Sequence, residues 1–131
     1  MSKTREVVMT IYKAYADRDL DAALSHCNDN MCFVWNAKEA MEPYCGECHG
    51  KAAFLNKLKM IDVDWEIVKY ESVELICEGD SAAGRVQIEY QNKKTGNTIE
   101  TEIGHFWQVE DNQAVKLIEF YDTATMMASM N

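Results

Sequence analysis

The stretch TIETEIGHFWQVEDNQAVKLIEFYDT, residues 98–123, decides how this chain folds. Two runs of alternating apolar and polar residues flank Asp111-Asn112, a pair that can supply the positive φ angles of a two-residue hairpin turn, though Asn does so less readily than Gly. If that pair is the whole loop, Glu110 faces Gln113, and counting back sets Trp107 opposite Lys116, His105 opposite Ile118 and Thr101 opposite Asp122. Cross-strand partners share a face. One face is therefore expected to carry Thr101, Ile103, His105, Trp107, Ile118, Phe120 and Asp122, a largely apolar surface that holds an imidazole and a carboxylate. The other, with Glu102, Phe106, Gln108, Leu117, Glu119 and Tyr121, is mixed and suits solvent or a partner subunit.

Upstream of this hairpin the period stays at two: Trp65 and Ile67, then Val73, Leu75 and Cys77, then Val86, Ile88 and Tyr90. Turn residues Glu78-Gly79-Asp80 and Lys93 to Asn97 separate the runs. Before Asp64 the period is helical. Val7, Val8, Ile11, Tyr12 and Tyr15 form the stripe of a first helix over about 4–16, and Asp19 caps a second, shorter one carrying Leu20, Ala23, Leu24 and Cys27. Asn28-Asp29-Asn30 is expected to break that helix ahead of a buried strand, Met31 to Trp35. Residues 36–50, with Pro43 and two Gly, read as a loop, and Lys51 to Lys59 as a third helix.

Size and charge narrow the function. The 131 residues suit one domain, 1–131, with a core that needs no disulfide or metal to hold it. A net charge of -9, with Lys and Arg scattered, argues against a nucleic-acid or anionic-membrane partner, which would need a basic footprint. No apolar run reaches the length of a membrane span, and Met1 to Glu6 lack a signal core, so a cytoplasmic location is expected. An odd number of cysteines, five, fits a reducing compartment. Cys27, Cys32 and Cys77 read as small buried hydrophobes.

A lone His on an apolar face is more often structural than catalytic, and an Asp near a strand end is often a cap. Both on one inward face form a candidate acid–base pair. On a flat sheet they would stand roughly 13 Å apart at about 3.3 Å per residue, so strong curvature must turn both towards one cavity. Tyr12, Tyr15, Trp35, Phe54 and Trp107 read as core and pocket wall, which favours a planar or cyclic ligand. Met126, Met127 and Met130 are expected to pack across the pocket mouth or to fray.

Cys45-Gly46-Glu47-Cys48-His49 has the spacing of covalent haem attachment, but that chemistry requires export to an oxidising compartment and a distal ligand. Zinc held by the two thiolates and His49 would need Glu47 or His26 as fourth ligand. A redox dithiol would lack its usual βα context. The simplest reading is a pocket-rim loop without cofactor or metal.

The order of elements, from the Asp-capped second helix through Trp35, the Pro43 loop and Gly50 to the closing Glu119-Phe120-Tyr121-Asp122, resembles the SnoaL-like polyketide cyclase branch of the nuclear transport factor 2-like superfamily, also termed cystatin-like or ketosteroid isomerase-like. The resemblance implies an α+β cone in which three N-terminal helices pack on a strongly curved, mixed or antiparallel sheet around a pocket, with a homodimer through the outer sheet face. It also implies a carboxylate on the last strand as general acid/base, matching Asp122, assisted by a histidine on the preceding strand, matching His105. The steroid isomerase pattern is absent: its Asp falls at Trp35 and its Tyr at Ile11. The epoxide hydrolase pattern of Arg and Asp two residues apart is absent from Ile103-Gly104-His105.

The expected activity is proton transfer next to a carbonyl in a small hydrophobic or cyclic molecule, without a cofactor. Asp122 would be the base and His105 the donor or oxyanion partner. Tyr12, Tyr15, Trp35, Asn36, Phe54, Trp107, Ile118 and Phe120 would bind the substrate. The alternative is a non-catalytic ligand-binding or dimerising module on the same fold.

Overall fold

Burial follows the helical and strand periods along most of the chain. The computed structural model describes residues 3–131; Met1 and Ser2, which open the stretch read as lacking a signal core, lie outside them. Helix α1 (Lys3–Ala16) buries Val7, Val8, Ile11, Tyr12 and Tyr15 on one stripe, as the spacing requires. Asp19 caps α2 (Leu20–Leu24), its carboxylate accepting from the Ala22 N–H at 3.0 Å. Helix α3 runs from Lys51 to Asp64, and Gly50 admits the chain at φ 97°, a conformation that disfavours any residue with a Cβ.

Six strands form one mixed sheet in the order β2-β1-β6-β5-β4-β3. They are β1 (Cys27–Trp35), β2 (Gly46–His49), β3 (Trp65–Glu78), β4 (Ser81–Asn92), β5 (Thr98–Glu110) and β6 (Gln113–Tyr121). Only β1 and β6 pair in parallel; the other neighbours are antiparallel. Register slips interrupt β3 twice, β1 between Cys27 and Cys32, and the β5–β6 hairpin between Gln108 and Val109. Each slip adds local twist, and together they bend the sheet around its inner face. The fold is α+β, with α1 packed against the inner faces of β3–β6 and α3 against β1.

The core lies between that inner face and the helices. Trp65, Met31, Val8 and Val86 are almost wholly withdrawn from solvent, each contributing about 1.5–3 kcal/mol of transfer energy. No buried side-chain nitrogen or oxygen among the described residues is left without a partner.

Several sequence expectations change. Asn28-Asp29-Asn30 does not break the chain before β1; it lies within that strand, where the pairing slip with β6 absorbs it. Residues 36–50 contain a single 3₁₀ turn, Glu39–Met41, and the short edge strand β2. A fourth helix, α4 (Thr123–Ser129), follows β6, so the helices are not confined to the N-terminal half. Cys32 and Cys77 are half-buried, whereas Cys27 is fully buried; all five cysteines are free thiols. Among the described residues no helix is long and apolar enough to cross a membrane.

Candidate active site

The hairpin turn forms as its residues dictate: Asp111 and Asn112 adopt φ 50° and 64°, and Glu110 pairs with Gln113. Beyond that pair the register departs from simple counting. Val109 pairs with Ala114 and Gln108 with Lys116, which leaves Val115 as an extra, unpaired residue on β6. Every later position of β6 therefore shifts by one and exchanges faces. Trp107 lies opposite Leu117, His105 opposite Glu119 and Ile103 opposite Tyr121.

The inner face thus presents His105 and Glu119 side by side. His105 Nε2 and Glu119 Oε1 are 2.7 Å apart, with side-chain exposures of 2% and 16%. Trp35, at the end of the neighbouring parallel strand, donates from Nε1–H to Glu119 Oε2 at 2.6 Å. On the other side of the imidazole, Tyr12 from α1 reaches His105 Nδ1 at 2.7 Å, and Trp107 Nε1–H donates to the Tyr12 hydroxyl at 2.9 Å. Tyr12 and His105 are stacked, with ring centroids 5.6 Å apart.

One proton assignment satisfies this chain. The Tyr12 oxygen accepts from Trp107, so its own proton goes to His105 Nδ1; Nε2 then carries the imidazole proton and donates it to an ionised Glu119. The reverse tautomer, or an imidazolium, would place three donor hydrogens around the Tyr12 oxygen and strand its hydroxyl proton. Each Glu119 oxygen accepts one bond and keeps a lone-pair direction free for the cavity.

That cavity has a volume of about 60 Å³, room for several water molecules. Its wall is mostly apolar and aromatic, including Tyr15, Phe33, Trp35, Phe54, Trp107 and Met126, and His105 and Glu119 open onto it. The hydroxyls of Tyr15, Tyr70 and Tyr90 belong to residues of the same wall. Burial pushes the Tyr15 hydroxyl up to about 12 and those of Tyr70 and Tyr90 well above the ordinary phenol value, and the Glu119 charge adds to each shift. All three phenols stay protonated at neutral pH and can donate hydrogen bonds.

The ten sequence candidates divide. His105, Tyr15, Trp35, Phe54 and Trp107 line the cavity. Tyr12 is buried behind His105 as its hydrogen-bonding support and does not line the cavity itself. Asp122 is corrected: it is exposed and caps α4, its carboxylate accepting from the Thr125 N–H at 3.0 Å and the Thr125 hydroxyl at 2.7 Å. Those two bonds hold its carboxyl below the usual carboxylate range, the opposite of a desolvated base. Ile118 and Phe120 are corrected too, because the shifted register puts them on the outer face, where Phe120 meets Phe106 edge to face at 5.8 Å. Asn36 is exposed just past β1 and does not line the cavity.

Glu119 is the residue that counting missed, together with Tyr121, which also lines the cavity. A signal for it exists in the sequence: shifting β6 by one residue places Leu117 rather than Lys116 opposite Trp107, a better core pairing. Met126 joins the wall, while Met127 is exposed and Met130 packs partly against the core.

The Cys45–His49 segment does not act as one motif. Alternation along β2 sends Cys48 to the face of its partner Phe33, while Glu47 and His49 point to the opposite face, where Cys32 lies across from His49. Among the described residues, the grouping with metal-compatible spacing is Cys32, Glu47 and His49.

No curated protein matches the sequence. Solved structures of the same fold are numerous. An NTF2-like protein of unknown function from Burkholderia pseudomallei superposes with a TM-score of 0.89 at 22% identity, covering 100% of this chain and 99% of that one. TerC, crystallised with polyporic acid, gives 0.88 at 20% identity and covers 98% of each chain. A proposed polyketide cyclase from Xanthomonas campestris pv. campestris gives 0.81 at 18% identity, covering 98% of this chain and 97% of that one. At these identities the likeness establishes the fold. The model of the SnoaL-like domain matches residues 8–117, from α1 to the middle of β6, and on that match the chain belongs to the SnoaL-like family.

Proposed function

We propose that this protein is a cofactor-independent acid–base enzyme of the cyclase or isomerase type, acting on a small hydrophobic or cyclic carbonyl compound, with Glu119 as the base. The observation that carries this reading is the Glu119 carboxylate: little exposed, fixed by two donors, and open to an aromatic cavity.

A carbonyl compound bound against the Trp35 and Trp107 walls would place an acidic C–H near a free lone pair of Glu119. Taking that proton leaves an enolate, whose oxygen the protonated hydroxyls of Tyr15, Tyr70 or Tyr90 can stabilise. His105, held by Tyr12, orients the carboxylate and keeps it from rotating. Return of the proton to a different carbon gives isomerisation; attack of the enolate on a second carbonyl gives aldol closure. The family, and neighbours such as the proposed polyketide cyclase and TerC with its cyclic ligand, support this choice of substrate class.

The fully satisfied Tyr12–His105–Glu119 chain equally suits a non-catalytic ligand-binding module. Exchange of carbonyl-adjacent protons in heavy water, followed by NMR over a panel of cyclic ketones and diketones, separates the two. The enzyme reading expects exchange that falls at least about 100-fold in Glu119→Gln and persists in Asp122→Asn. Ligand binding without exchange in the parent, or exchange unchanged in Glu119→Gln, overturns Glu119 as base.

The outer sheet face is assigned to a second copy of the chain. Phe106 and Phe120, 54% and 40% exposed, form an aromatic pair there that a homodimer would cover. Sedimentation of the parent as a dimer and of Phe106→Glu as a monomer is the expected result; a monomeric parent contradicts it.

A further inference from the structure

Outside the cavity, Cys32, Glu47 and His49 bring one thiol sulfur, one carboxylate oxygen and one imidazole nitrogen within 4.8 Å of one another. We propose that this cluster binds a divalent transition-metal cation of the zinc class, with water in the fourth position.

The arrangement follows from strand pairing. Cys32 pairs with His49 and Val34 with Glu47 across the antiparallel β1–β2 ladder, so all four side chains share the face opposite buried Phe33. Glu47 Oε2 and His49 Nε2 already lie 2.6 Å apart, and the cation would replace the proton between them. Tetrahedral zinc, with bonds of about 2.0–2.3 Å, holds its ligand atoms roughly 3.3–3.8 Å apart. Reaching that spacing takes about 1 Å of side-chain rotation, with the Glu47–His49 pair opening from 2.6 Å and the wider separations closing from within 4.8 Å, which the exposures of 70% for His49 and 53% for Glu47 permit.

The donor set selects the ion. One sulfur and one imidazole nitrogen beside one carboxylate suit zinc or cobalt(II) and disfavour magnesium or calcium, which take oxygen ligands. Three protein ligands leave an open position, so the site is less closed than a four-cysteine structural site. Partial burial, and the Glu47 charge beside it, raise the Cys32 thiol above its usual range, and Lys116 across the strand opposes them. Binding must therefore displace the Cys32 proton to solvent as the sulfur–metal bond forms. The bound ion would fasten the four-residue edge strand β2 to β1, and with it the preceding segment that carries Tyr44 into the cavity wall.

The test uses untagged, chelator-treated full chain titrated with zinc by calorimetry and with cobalt(II) by absorption. One equivalent is expected, with a thiolate-to-cobalt band in the near ultraviolet and a rise in Tm on loading. Cys32→Ser should abolish the band, His49→Ala should weaken binding by at least about tenfold, and Cys45→Ser should bind as the parent does. Should Cys32→Ser fail to fold, exposed His49 still supplies a variant that keeps the core intact. Absence of saturable binding by the parent, a band that survives His49→Ala at undiminished affinity, or a band lost in Cys45→Ser overturns the proposal.

Discussion

His105 on β5 and Glu119 on β6 stand 2.7 Å apart because Val115, four residues before Glu119, has no partner in the hairpin. One unpaired residue decides which carboxylate, Glu119 or Asp122, shares a face with the imidazole.

Deleting Val115 should close that bulge. Lys116 would then follow Ala114 directly, so Gln108 would still face Lys116, Trp107 would face Leu117 and His105 would face Glu119, and the inward set would be kept while the local twist is lost. The expected result is a variant that still folds cooperatively with a near-ultraviolet circular dichroism spectrum like the parent's, at a cost of about 1–3 kcal/mol in denaturant unfolding. A variant that fails to fold cooperatively would contradict the reading of Val115 as the one extra residue of the hairpin.

Gly84 faces His105 across β4 and β5, and a Cβ there would come within 2.6 Å of the Tyr12 hydroxyl. Gly84→Ala should cost about 1–3 kcal/mol by displacing that hydroxyl from His105 and Trp107. Tyr12→Phe should cost about 1–3 kcal/mol as well, since it strands the Trp107 N–H and His105 Nδ1. The two costs should not add: once Tyr12→Phe has removed the hydroxyl, the alanine meets no oxygen, so a double-mutant cycle by urea unfolding should give clear coupling. Strict additivity would contradict the close approach.

Asp122 should matter for acid stability and not for chemistry. Its folded pKa is depressed by the bonds from Thr125, so its contribution is present above the unfolded carboxylate value, about 3.9, and fades as pH falls through the lower folded value. Asp122→Asn should flatten the stability profile below about pH 4 and leave the cavity unchanged. Thermal melts across that range provide the check; a parental profile in the variant would contradict it.

Glu119→Gln should cost about 1–3 kcal/mol in urea unfolding. The amide keeps one acceptor for two donors, Trp35 Nε1–H and His105 Nε2–H, so its nitrogen faces one of them or forces the imidazole to change tautomer. No loss of stability would mean that the carboxylate is not held by both.

Much of the fold was legible in residues 65–123 because alternation, Gly79 and the Asp111-Asn112 turn all specify strands and their ends. The inward set on β5, Ile103, His105 and Trp107, was legible for the same reason. The inward set on β6 was not: a bulge leaves no mark in composition, and Lys116 to Phe120 offers apolar residues on both faces. Asp122 misled because a residue that ends a strand and one that caps the next helix look alike until the helix, here the Met-rich Thr123–Ser129, is known to exist. The metal-compatible cluster was hidden behind the Cys45–Cys48 spacing, since Cys32 joins it only through strand pairing.

Long-range proton–nitrogen NMR of ¹⁵N-histidine-labelled protein tests the central assignment most directly. The account predicts His105 as the Nε2–H tautomer, with Nδ1 unprotonated, its resonances moving in Glu119→Gln and staying in place in Asp122→Asn. An Nδ1–H tautomer, or resonances that respond to Asp122→Asn and ignore Glu119→Gln, would contradict it.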